Sequence, residues 1–105
     1  MDNGLSAGLR ARVSLEKHGF NPKHSLGQNF ILDDKLIGTL LDEAGVGPAD
    51  NVLEIGPGPG LMTALLARRA ARVLAVEVDR SLEPVLSDVL NGAENARVEI
   101  GTSVV

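Results

Sequence analysis

At 105 residues, 44% of them hydrophobic and 23% charged, the chain has the make-up of one small globular domain rather than of a disordered segment. Phe20 and Phe30 are its only aromatic residues, so stacking of bases on tyrosine or tryptophan is excluded, and the lack of cysteine excludes disulfides and thiolate metal sites. The net charge of −4 is unevenly spread: through His24, Arg10, Arg12, Lys17 and Lys23 stand against Asp2 and Glu16, whereas the rest holds 6 basic and 12 acidic residues. Such a weakly basic arm on an acidic body suits contact with nucleic acid, although four basic residues in such a span are more often a plain solvated helix face. No apolar run approaches the roughly 20 residues of a membrane span, and Gly4, Ser6, Gly8, Arg10 and Arg12 interrupt any secretory signal. These features predict a cytoplasmic chain with neither membrane nor metal partner.

In chain order, Leu5, Leu9 and Val13 lie four apart and predict a one-sided helix from Leu5 to His18, ended by Gly19. An irregular stretch follows, with Asn21-Pro22 and Gly27 opposing regular structure. Asp33 is the expected cap of a second helix over Asp34 to Ala44, with Leu36, Ile37, Leu40, Leu41 and Ala44 on its apolar face and Gly45 at its exit. Beyond Gly47-Pro48-Ala49-Asp50 the pattern changes. Val52 to Ile55 reads as a short buried strand, Leu61 to Ala70 as a helix, Arg72 to Val78 as a strand and Arg97 to Ile100 as another. The helix between the last two strands is placed after a cap at Ser81, which keeps Pro84 in the first turn, where a missing N–H costs nothing.

Strand and helix in alternation predict an α/β fold, the first half of a doubly wound, Rossmann-like sheet. Two parts are expected: an N-terminal helical extension over 1–50 and a partial cofactor-binding domain over 51–105. The residues after Ile100 supply no fourth strand, so the first strand is expected to expose an apolar parallel edge, as in the front part of a longer protein.

The candidate site is Val52-Leu53-Glu54-Ile55-Gly56-Pro57-Gly58-Pro59-Gly60. Three alternate glycines after a strand allow a sharp turn and a close backbone approach by a ligand. Glu77 lies 21 residues beyond Gly56, at the end of the next strand, where a carboxylate accepts from both hydroxyls of a ribose. A dinucleotide needs its diphosphate held by backbone N–H groups, and Pro57 and Pro59 remove two of them. The spacing also departs from that of dinucleotide binders, and no phosphate-loop Gly-Lys-Ser/Thr is present. A cofactor with a ribose but no phosphate fits better, which points to S-adenosylmethionine. Glu54 is suited to the cofactor's ammonium group; a purely structural role would need a hydrogen-bond donor, and none is evident nearby in sequence. Asp79 is read as a helix cap, ahead of an adenine contact or a solvated carboxylate.

Ser25-Leu26-Gly27-Gln28-Asn29-Phe30-Ile31-Leu32-Asp33, the glycine loop and Val76-Glu77-Val78-Asp79 together resemble the ribosomal RNA adenine dimethylase family, over about Leu9 to Ile100. The Gly-Gln-Asn-Phe element is the specific part of the likeness. The resemblance implies methyltransferase activity with S-adenosyl-L-methionine, N6,N6-dimethylation of two adjacent adenosines in small-subunit rRNA, and a monomer acting on that RNA or the pre-ribosomal small subunit. It also implies that Asn29 and Ile31 line the cofactor site, that Gly56 and Gly58 approach the cofactor and that Glu77 reads its ribose. Thr102 stands where the family has an acidic residue for the adenine amine, and the Asn-[Leu/Ile]-Pro-Tyr motif that grips the target base does not occur in the chain. No catalytic residue is therefore assigned, and weak or no cofactor binding without turnover is expected of these residues alone. The alternatives are a non-catalytic RNA-binding or ribosome-assembly factor on the same scaffold and a dinucleotide-binding oxidoreductase.

Overall fold

The computed structural model describes residues 6–20 and 31–101. Two helices, α1 (Ala7–Lys17) and α2 (Asp34–Ala44), precede an alternating unit of β1 (Asn51–Ile55), α3 (Leu61–Arg69), β2 (Arg72–Glu77), a 3₁₀ turn (Arg80–Leu82), α4 (Glu83–Val89) and β3 (Ala96–Ile100). The strands pair in parallel in the order β1-β2-β3, with Leu53 opposite Leu74 and Val76 opposite Glu99. This is half of a doubly wound sheet, as the alternation predicted.

Period-two alternation gives the sheet two unlike faces. Val73, Ala75 and Glu77 of β2 are buried under the helices, together with Leu61, Leu65, Leu82, Val85 and Val89. On the opposite face Leu53 and Ile55 are 62% and 73% exposed, and Leu74 is 38% exposed. The expectation of a buried β1 is corrected accordingly. All the described helices that pack on the sheet share one face, and β1 has no strand on its outer side among the described residues.

The predicted face of α1 is also corrected. Ala7, Gly8, Ala11, Ser14 and Leu15 are buried, whereas Leu9 and Val13 are 43% and 50% exposed; Leu5 lies outside the described residues. Small side chains let α1 sit close against α3 and α4, and that contact outweighs the spacing of its larger residues. The start of α1 is docked on α2, because the Asp34 carboxylate accepts from the Ala7 amide at 3.0 Å and the Gly8 amide at 2.7 Å.

In α2 the Asp33 cap accepts from the Lys35 and Leu36 amides, and Gly45 closes the helix at φ 75°, both as predicted. Its buried face is narrower than expected. Ile37 and Leu41 are buried, but Leu36 and Leu40 are about half exposed and Ala44 is exposed, since α2 leans on α3 at the margin of the helical layer.

The cap after β2 is Asp79 rather than Ser81. Ser81 donates both its amide and its hydroxyl to Asp79 Oδ1. Because the capped element is a short 3₁₀ turn, α4 begins at Glu83 and Pro84 still falls in its first turn.

The far end of α1 is clamped to α4. Ser14 Oγ donates to Asp88 Oδ2 at 2.8 Å and His18 Nε2 lies 2.9 Å from the same oxygen, with Lys17 Nζ at 3.9 Å. The bonds from Ser14 and His18 hold the Asp88 carboxyl below its ordinary value. The clamp is therefore complete above the unfolded carboxylate range, about 3.9, and is lost as pH falls through the lower folded value. In thermal melts from pH 7 to pH 2, Asp88→Asn is expected to flatten the acid limb of the stability curve. An acid limb unaltered by the substitution would count against the clamp.

Candidate cofactor site

The glycine loop leaves β1 at the carboxyl end of the sheet and delivers the chain into α3. Gly56, Gly58 and Gly60 take φ of 72°, 57° and 90°, all in the left-handed region that favours glycine. At Gly60 a side chain would also meet Leu86 Cδ2 at 3.0 Å, so the glycine lets α3 start against α4. At Gly56 nothing lies within 4 Å of the position a Cβ would take, and the residue is exposed, leaving open space at the strand's exit.

Every amide of the loop is spent or missing. Gly56 N–H donates to Val76 O at 2.8 Å, Gly58 N–H to Glu77 Oε1 at 3.0 Å and Gly60 N–H to Pro57 O at 3.0 Å. Pro57 and Pro59 have no N–H. The loop itself thus offers no donor for a diphosphate, which is the reverse of an amide cage.

Glu77, the last residue of β2, is 6% exposed and turns toward this loop. Oε1 accepts from Gly58 and Oε2 from the Asp79 amide at 3.0 Å. Each oxygen keeps further accepting capacity, so the carboxylate is fixed in orientation while still able to take two more donors. A ribose with its paired hydroxyls supplies two donors at that spacing. The residues present fit an adenosine cofactor without a phosphate.

Glu54 lies on the same face as Glu77, displaced diagonally, since Glu54 pairs with Ala75 and Glu77 follows two residues later. It is half-buried and accepts from Thr63 Oγ1 on α3. The expectation that it lacks a structural donor is thereby corrected. Thr63, itself fully buried, is the site residue the sequence reading missed. Burial pushes the Glu54 carboxyl up, the Thr63 bond opposes that, and the nearby Glu77 charge adds to the rise.

Thr63→Val keeps the shape and removes the donor, which is expected to cost about 1–3 kcal/mol at neutral pH. A carboxyl with a raised folded pKa is without penalty below the unfolded range, about 4.3, and destabilises as pH rises through the folded value. The loss is therefore expected to be larger at pH 7 than at pH 4, as denaturant unfolding at the two pH values will show. Equal losses would separate Thr63 from the Glu54 charge.

Gly56, Gly58, Glu77 and Glu54 thus lie together at the carboxyl end of the sheet. Ile31 stands 58% exposed two residues before the Asp33 cap. Asn29, with the rest of the Gly-Gln-Asn-Phe element, and Thr102 lie outside the described residues. Among the described residues no group of three or more His, Cys, Asp or Glu converges as for a metal, and no helix is long and apolar enough to cross a membrane.

A parallel β-α-β-α-β unit, with a glycine loop after its first strand and a buried acid ending its second, defines a Rossmann-like nucleoside-binding domain of the kind found in methyltransferases. The chain belongs to the ribosomal RNA adenine dimethylase family, whose model matches residues 19–103. It is 48% identical over 93 residues to the ribosomal RNA small subunit methyltransferase A of Pelotomaculum thermopropionicum, covering 89% of this chain and 32% of that protein. It therefore spans about a third of the length of this curated relative. Among solved structures, the 23S rRNA methyltransferase ErmE is 39% identical with a TM-score of 0.63, over 71% of this chain and 30% of that one. The O-methyltransferase TomG from Streptomyces achromogenes, solved with S-adenosylmethionine, shares the fold at a TM-score of 0.64 and 21% identity, over 95% of this chain and 44% of its own.

Proposed function

We propose that the protein uses S-adenosyl-L-methionine to dimethylate N6 of two adjacent adenosines in small-subunit rRNA, with this chain supplying the cofactor-binding half. The observation that carries the cofactor is the Glu77 carboxylate, held by the Gly58 and Asp79 amides at the mouth of a loop with no amide left to give. The RNA substrate is supported by membership of the family and by the likeness to two rRNA methyltransferases, the methyltransferase A relative and ErmE. The reading includes action in the cytoplasm, as a monomer, on the pre-ribosomal small subunit.

When bound, S-adenosylmethionine supplies the electrophilic methyl group. The roles left to this chain are binding and orientation. Glu77 accepts from the ribose hydroxyls, and Gly56 leaves room for the nucleoside beside the strand end. Glu54, with one side satisfied by Thr63, turns its remaining accepting capacity toward the cofactor's ammonium group. By the family resemblance, Asn29 and Ile31 would line the cofactor site and Thr102 would accept from the adenine amine. Gripping the target adenine in line with the methyl group falls to residues beyond those present here, so the chain by itself is expected to bind cofactor weakly and to turn nothing over.

Titration calorimetry with S-adenosylmethionine, S-adenosylhomocysteine and NADH tests the reading. Weak saturable binding of the first two and none of NADH is the expected result. Equal affinity for NADH would favour the dinucleotide alternative, and methylation of small-subunit rRNA by these 105 residues would overturn the division of labour.

A further inference from the structure

At the end of the sheet opposite the glycine loop, where the strands begin, α1, α3 and the turn joining α4 to β3 enclose an open cleft of about 500 Å³. Arg10 of α1 and Arg68 in the last turn of α3 line it, with Asn91, Glu94 and Asn95 from the turn. Arg10 Nε is buried without a hydrogen-bond partner, and among the described residues it is the only buried side-chain nitrogen or oxygen so left. The ion pairs formed among the described residues involve Lys17, His18, Arg69 and Arg97, and neither Arg10 nor Arg68 takes part in one. A buried donor left open in this way calls for an acceptor. Two of the carbonyls at the end of α3, which would repel an anion, are covered: Asn95 Nδ2 donates to Ala67 O at 2.8 Å and to Ala70 O at 3.1 Å.

Glu94 is the single carboxylate among the lining residues, so two guanidiniums leave the cleft positive on a chain that is acidic overall. A second cleft of about 690 Å³ shares Glu94 and Asn95 with the first and adds Arg72, as well as Arg97, which is paired with Glu99. The two clefts adjoin at Glu94 and Asn95, the second reaching Leu74 and Glu99 on the open face of the sheet, and Arg10, Arg68 and Arg72 are free of ion pairs among the described residues.

We infer that these adjoining clefts bind phosphates of an RNA backbone, at a place remote from the cofactor site. The inference rests on the RNA substrate proposed above. Guanidinium forks match phosphate oxygens two at a time, and cations spread over two open clefts suit a polymer better than a single enclosed ion. With no aromatic residue lining either cleft, the contact would fix the position of the RNA without reading its bases.

Anisotropy titrations of a labelled RNA hairpin over a series of KCl concentrations test this. Arg68→Gln, at an exposed position that tolerates change, and Arg10→Gln are each expected to weaken binding about 3- to 10-fold and to reduce the salt slope by about one. Arg12→Gln, exposed on α1 outside the cleft, is expected to leave both unaltered. Binding of S-adenosylhomocysteine is expected to be the same in all three. Wild-type binding that neither Arg68→Gln nor Arg10→Gln alters would overturn the clefts as the contact and leave the RNA substrate standing. Failure of the wild-type chain to bind RNA even at low salt would overturn both.

Discussion

Replacing Glu77 by alanine is expected to raise the dissociation constant for S-adenosylmethionine at least about 100-fold, since two hydrogen bonds to a charged acceptor are worth about 1.5 kcal/mol or more each. The loss has two sources. The ribose hydroxyls lose their acceptor, and the Gly58 and Asp79 amides, now bonded to Oε1 and Oε2, lose theirs in a buried and a part-buried place respectively. Glu77→Gln separates them. An amide still accepts on one oxygen but turns donors toward one of those N–H groups, so it is expected to keep the fold and lose most of the affinity. Calorimetry on both variants, with circular dichroism as the check on folding, measures the effect. Wild-type affinity in Glu77→Gln would remove the carboxylate from the ribose.

The largest effect on stability is expected far from the cofactor, at Gly8. A Cβ there would stand 2.3 Å from Leu32 O and 2.6 Å from Asp34 Oδ1, and the first of these is backbone and cannot turn aside. Gly8→Ala therefore has to push α1 off the start of α2, breaking the pair of bonds from the Ala7 and Gly8 amides to Asp34. Overpacking and the lost cap together are expected to cost about 2–4 kcal/mol, which in a domain of this size lowers the melting temperature by roughly 10 °C or more. Asp34→Asn, which keeps the shape and weakens the cap, is expected to lose only about 1 kcal/mol. Thermal melts give both values, and a Gly8→Ala variant as stable as the wild type would show that α1 is not held against Leu32.

How much of this was legible in the sequence depended on how local the causes were. The alternation of strand and helix, the Asp33 cap, the Gly45 exit and the glycine loop are set by neighbouring residues, and each appears where its residue types placed it. Glu77 was legible because a loop and an acid one β-α-β crossover apart must meet when the strands are parallel.

Causes that cross between elements were not legible. The face of α1 follows from how closely Ala7, Gly8 and Ala11 let it approach α3 and α4, and no spacing within the helix reveals that. The Thr63 bond to Glu54 depends on how α3 folds back over β1, so a residue nine positions away looked like an ordinary helical threonine. Asp34, one residue past a correctly read cap, turned out to serve the start of another helix. Ser81 was placed as the cap on the premise of one regular helix, whereas a 3₁₀ turn lets Asp79 be the cap and still leaves Pro84 in the first turn of α4.

The central claim is that the Gly56–Gly60 turn and Glu77 form a site for a nucleoside rather than for a diphosphate. The most direct measurement is a set of amide proton–nitrogen spectra of the isotope-labelled chain, recorded as S-adenosylhomocysteine and then NADH are added. The predicted result is saturable movement of the Gly56, Gly58 and Asp79 amides with the first ligand, and none with the second. Movement confined to other parts of the chain, or the same response to NADH, would contradict it.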